Sequence, residues 1–240
     1  MKKVLYLIGL AVAMLTANTA KAQFDHMSVG LELGTTGYGF ELATNATPYL
    51  GLRTGLTTMP RIGATVKDVH YKDNGVQKST DVKGTSHITD WKLLADYYPF
   101  ANNSFHLTAG FYVGRSEILT AHNTSPLELA PGDGLEIGDR IATPDENGYA
   151  RANLKVNAFK PYIGVGFGRS ISKHKFNVAC DLGVQFWGKP KAYAWSDLEQ
   201  DWLKVSNTDV EDDDFNDALD KITGIGVYPV LNIRLIYNIF

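Results

Sequence analysis

The chain of 240 residues has a single cysteine, Cys180, so an intramolecular disulfide cannot form and other forces must hold the fold. It has no basic surplus. Twenty-three Lys and Arg stand against 26 Asp and Glu, which argues against nucleic acid as a partner. Beyond the first 22 residues it has no continuous apolar run long enough for a transmembrane helix. Any membrane crossing is therefore left to a closed β-barrel, which satisfies its backbone groups internally. Familiar catalytic signatures are missing too. There is no nucleophile elbow or P-loop, and the glycine run at 164–168 lies inside a strand pattern. His26, His70, His87, His122 and His174 show no zinc-ligand spacing, and no cofactor is expected.

What is present begins with a leader. Residues 1–22 combine Lys2 and Lys3, an apolar run from Val4 to Leu15, and a small-x-small end at Ala20 and Ala22. That is the pattern of a secretory signal peptide cleaved after Ala22. Its removal takes away three lysines and leaves 218 residues with a formal charge of −6.

The most regular stretch covers residues 159–188. Phe159, Pro161, Ile163, Val165 and Phe167 share one parity, and after a polar link Phe176, Val178, Cys180, Leu182, Val184 and Phe186 share another run of it. Period-two alternation in two runs joined by a short link predicts a β-hairpin. One face is bulky and apolar, while the other mixes glycine, charge and amide. That suits lipid on one side and a narrow polar interior on the other.

The same alternation predicts strands over 29–33, 38–42, 50–57, 91–97, 105–113 and 231–239, giving eight in all. Residues 72–87, 118–152 and 189–223 read as long connections at one end of a barrel. Short turns near 46, 102 and 171 fall at the other, the periplasmic end of outer-membrane barrels. Splitting 118–152 gives a ten-stranded alternative. The insertion 189–223 is acidic, with ten acids and two lysines between 195 and 221. Leu198, Trp202 and Val205, and again Phe215, Leu219 and Ile222, fall at i, i+4, i+7, which predicts two short amphipathic helices. The acidic run 209–217 lacks the alternating ligands and central glycine of an EF-hand, so no metal is expected there.

A signal peptide, eight alternating strands, girdle-like aromatics and a terminal Phe240 resemble the small outer-membrane β-barrels of Gram-negative bacteria, of the OmpA-transmembrane-domain, OmpW and OmpX type. The segments LLADYYPF at 93–100 and PYIGVGFG at 161–168 resemble blocks of such families. The resemblance implies an all-β fold at residues 23–240: one antiparallel transmembrane barrel with long loops and a short helical insertion at one end. It implies the outer membrane as location, and lipid, lipopolysaccharide and the barrel-assembly machinery as partners, with any surface ligand unspecified. It also implies that Tyr237 and Phe240 carry the assembly signal, although Phe240 is out of phase with Leu235, Tyr237 and Ile239.

Parity sends Glu32, Glu41, Asp96 and Asp181 inward, together with Arg53, Lys92, Lys160, Arg234 and His106. Unpaired charge in so narrow a space is costly, so these side chains are expected to form a paired network that plugs the barrel. The function expected is structural or surface-interacting, without catalysis. The alternative is a narrow channel for small apolar molecules or ions. Two lesser alternatives are a lipid-modifying enzyme and a soluble lipocalin-like binder. Barrel lipid A deacylases use a His-x-Ser pair, and His106-Leu107-Thr108 is the nearest match. A lipocalin would put the bulky faces inside.

Overall fold

The computed structural model describes residues 26–239 except 74–75, 101–102, 128, 130–134, 138–139, 172–173 and 206–225. The expected signal peptide and Phe240 lie outside the described residues. Among the described residues, sixteen strands follow in order: β1 (Met27–Gly34), β2 (Gly37–Thr47), β3 (Leu50–Thr58), β4 (Ile62–Asp73), β5 (Val76–Ser86), β6 (Thr89–Tyr97), β7 (Phe105–Gly114), β8 (Glu117–Asn123), β9 (Leu135–Ile137), β10 (Arg140–Ala142), β11 (Arg151–Lys155), β12 (Phe159–Phe167), β13 (Phe176–Phe186), β14 (Lys191–Ser196), β15 (Asp201–Lys204) and β16 (Val227–Asn238).

Eight of them close on themselves in the order β1-β16-β13-β12-β7-β6-β3-β2. Every barrel pairing is antiparallel, and β1 seals the cylinder by pairing β2 on one side and β16 on the other. The ten-stranded alternative is thereby corrected, because residues 118–152 add no strand to the barrel. Exposure alternates residue by residue: Leu31, Phe40, Leu56, Ile163, Val165, Leu182, Ile233 and Leu235 point out, while their neighbours are buried or half-buried. Tyr237 also points outward on β16. A soluble lipocalin-like barrel would have these faces reversed, so that reading is overturned.

The stretches read as long loops contain strands. β4 and β5 form a hairpin, β8 pairs β5 and β11, and β11 pairs β14, giving a six-stranded sheet β15-β14-β11-β8-β5-β4 beyond the barrel mouth. These strands carry polar residues on both faces, as in Thr80, Asp81, Lys83 and Thr85 of β5, because solvent reaches both sides. The two-fold apolar signal is correspondingly weak. The helix expected over Leu198, Trp202 and Val205 is also corrected. Gln200 turns the chain with a φ of 52°, and Trp202 in β15 stands opposite Trp195 in β14. Their rings meet edge to face at 5.6 Å, so cross-strand pairing outweighs the helical spacing. The second expected helix, around Phe215–Ile222, lies outside the described residues.

Apolar contact inside the barrel is confined to small clusters. Leu94, Tyr112, Tyr162 and Val230 pack together in the interior. Ile88, Val156 and Trp187 pack with Met59, Ile118 and Tyr228 at the mouth beneath the second sheet.

Val165 and Leu182 stand directly opposite each other on the outer face, each within its strand. Arginine at either position should cost about 2–4 kcal/mol of folding stability in lipid. Urea titration of Val165→Arg in liposomes measures this. Stability equal to the parent's would show that the face does not meet lipid.

Candidate functional site

The interior holds a continuous network of charged side chains. Strand alternation turns Glu32 of β1, Glu41 of β2, Arg53 of β3, Lys92 and Asp96 of β6, His106 of β7, Lys160 of β12, Asp181 of β13 and Arg234 of β16 inward, and none exceeds 3% exposure. Asp181 is the hub. It accepts from Arg53 Nη1 at 3.3 Å, from Arg234 Nη2 at 3.3 Å and Nε at 2.5 Å, and lies 2.8 Å from His106 Nε2. Arg53 also grips Asp96, through Nη2 to Oδ1 and Nε to Oδ2, both at 2.8 Å. Glu41 joins the other side: Arg234 Nη1 donates to it at 2.8 Å and Lys92 Nζ at 2.8 Å, and Lys92 also pairs with Glu32.

Neutral groups complete these shells. Thr108 donates to Asp96 at 2.8 Å, Asn232 to Glu32 at 3.3 Å, and Ser170 to Asp96 at 3.2 Å. Satisfying the remaining lone pairs is what makes a buried ion cluster tolerable, since desolvation of each charge costs several kcal/mol.

Lys160 stands apart from this network. Its ammonium donates to both oxygens of Asp90 at 2.7 Å and lies 5.5 Å from the Trp187 ring centroid. Asp90 is 3% exposed and is a fifth interior acid that the sequence analysis left out. The signal was there. Extending the inward parity of Asp96, Leu94 and Lys92 back by one step reaches Asp90, one residue before the strand that alternation predicts over 91–97. Trp187 stacks on Tyr228 with centroids 4.3 Å apart and planes 10° apart. With Met59, Ile88, Gln185 and Asp90 they line a recess.

Interior glycines make room for this content. A Cβ on Gly166 would lie 2.4 Å from His106 Nε2 and 2.6 Å from Asp181 Oδ1. One on Gly183 would lie 2.4 Å from the Tyr162 hydroxyl. Space is taken up to van der Waals contact.

The opposite, short-turn end is also built over. Ser170 and Ile171, from the β12–β13 turn, are buried there. Arg169 lies 4.6 Å over the Tyr98 ring and donates to the carbonyls of Asn103, Pro48 and Phe100. His106 and Thr108 both face this interior, so the His-x-Thr pair is directed away from the apolar exterior. No group of three or more His, Cys, Asp or Glu suited to a metal ion occurs among the described residues.

A closed eight-stranded antiparallel barrel, apolar outside and ion-paired inside, is the architecture of the small outer-membrane barrels of Gram-negative bacteria. Among solved structures, the chain is similar to CarO2 of Acinetobacter baumannii, with a TM-score of 0.52 and 22% identity over 90% of this chain and 99% of that one. CarO of the same organism aligns with a TM-score of 0.49 and 21% identity, over 88% of this chain and 96% of that one. The shared feature is the fold. No protein-family model matches the chain, and no curated protein matches it.

Arg53→Ala leaves Asp96 and Asp181 short of a buried partner and should destabilise the barrel by about 3–5 kcal/mol. Lys155→Ala, which breaks a half-exposed pair with Glu117 and the ammonium's contacts with the Tyr193 and Trp202 rings in the second sheet, should cost less, about 1–2 kcal/mol. Urea unfolding of both variants in detergent micelles measures the contrast, and equal losses would contradict it.

Proposed function

We propose that this chain is an integral outer-membrane protein, exported by the signal peptide at residues 1–22, with a structural or surface-interaction role and a barrel closed by its own side chains. The observation that carries the reading is the opposition of the two faces. Bulky apolar residues cover the outside of all eight barrel strands, while, among the described residues, ten buried Asp, Glu, Lys, Arg and His side chains occupy the inside. Only a hydrocarbon surround makes that arrangement favourable. In this reading the outer face meets lipid and lipopolysaccharide, and the last strand, with Tyr237 and Phe240, is what the barrel-assembly machinery engages.

The interior favours closure over the narrow-channel alternative. A solute entering at the second sheet would first have to part Lys160 from Asp90. It would next meet Tyr112 and Tyr162, whose rings lie 5.6 Å apart, and then the cluster around Asp181. A catalytic role finds less support, because His106 is engaged with Asp181 inside the barrel and not with a group at the lipid face.

The six-stranded sheet continues from the end that carries the long connections, which by the outer-membrane pattern is the cell surface. Lys83 is exposed on it. With Cys180 changed to Ser, a Lys83→Cys variant should react with a membrane-impermeant maleimide on intact cells. Labelling seen only after outer-membrane rupture would invert the topology, and recovery of the protein in the soluble fraction would defeat the membrane reading.

A further inference from the structure

The interior charges do not balance without His106. Among the described residues, the buried acids are Glu32, Glu41, Asp90, Asp96 and Asp181, and the buried permanent cations are Arg53, Lys92, Lys160 and Arg234. Five carboxylates face four cations. The fifth positive charge has one candidate in this set, the imidazole of His106, which is fully buried.

The hydrogen bonds of the ring point the same way. Nε2 lies 2.8 Å from Asp181 Oδ1 and Nδ1 lies 3.2 Å from the Ser104 carbonyl oxygen. An ionised carboxylate and a peptide carbonyl only accept. A neutral imidazole carries one N–H, so it would turn a bare lone pair toward one of these oxygens; both contacts are satisfied only when both nitrogens carry protons. Two independent observations, charge count and donor count, give the same answer.

We infer that His106 is an imidazolium in the folded barrel, and that the proton it holds is a structural ligand bound between Ser104 and Asp181. The groups around it fit that role. Asp181 faces it from β13, and Arg53 of β3 and Arg234 of β16 share that carboxylate with it. From β6 Asp96 faces the cluster through Arg53 and Thr108, and the Tyr98 ring lies 5.2 Å from the imidazole. Opposite it on β12 stands Gly166, whose lack of a side chain leaves the ring its space. Glu41 and Glu32 connect through Arg234 and Lys92.

The proton also has a mechanical consequence. Ser104 lies in the turn before β7, and its carbonyl takes a second hydrogen bond from Gly168 N–H at 3.0 Å, at the start of the neighbouring turn. Through His106 the short-turn mouth is tied to the ion network. Loss of one proton turns a lone pair toward either the turn or Asp181 and leaves the interior with one uncompensated negative charge. The mouth is therefore coupled to proton activity.

The test is ¹⁵N NMR of histidine-labelled protein refolded in detergent micelles, with His106 assigned by the signals lost in His106→Gln. At pH 7 both His106 ring nitrogens should appear as N–H. A bare ring nitrogen in the parent at that pH overturns the inference. In Asp181→Asn the carboxylate is gone and acids and permanent cations become equal in number, so the ring should lose one N–H signal. A ring that stays doubly protonated in that variant overturns the role given to Asp181.

Discussion

Asp181 accepts hydrogen bonds from two arginines and stands against a histidine inside a barrel that has no room for bulk water, and the rest of the interior is arranged around keeping those charges paired. The constraint comes from closure. Joining β1 to β16 removes the free edges of the barrel sheet, as the proposed hydrocarbon surround would require, but it also forces alternate residues of eight strands into one narrow space. Each charge there loses its water. A pair alone does not recover that loss; a network with its lone pairs filled by Thr108, Ser170 and Asn232 comes closer, and the loss of any one member leaves the others exposed to the full desolvation cost.

The exterior answers to the opposite condition. The residues that would form the core of a soluble protein lie outside, and the buried apolar clusters inside are small: Leu94, Tyr112, Tyr162 and Val230 form one, and Ile88, Val156 and Trp187 another at the mouth. Inside, the barrel is thus held by backbone ladders and buried polar contacts; in the proposed reading, lipid covers the outer apolar face. Glycine inside the barrel has a matching use: at Gly166 and Gly183 it leaves the volume that His106, Asp181 and Tyr162 occupy.

The eight barrel strands and their two faces were legible because one face is apolar throughout, which makes the period of two unmistakable. Partner choice was not legible. Arg234 is directly opposite Glu32 in the β1–β16 register, yet it binds Glu41 and Asp181, while Glu32 goes to Lys92 from β6. Long side chains in a narrow barrel reach across the interior, and ladder neighbours give no rule for that. Asp90 was missed at a strand boundary, where alternation has the least context. The second sheet was missed for a different reason: strands wet on both faces carry no apolar stripe. At Trp202 the local spacing pointed to a helix, and a contact with Trp195 across β14 and β15 decided otherwise.

The central claim is that this ion network and the rings above it close the barrel. Planar-bilayer recording of the purified, refolded parent protein tests it most directly. The account predicts no steady unitary conductance at moderate voltage. Large, sustained, porin-like conductance from the unmutated protein would contradict it and restore the channel reading.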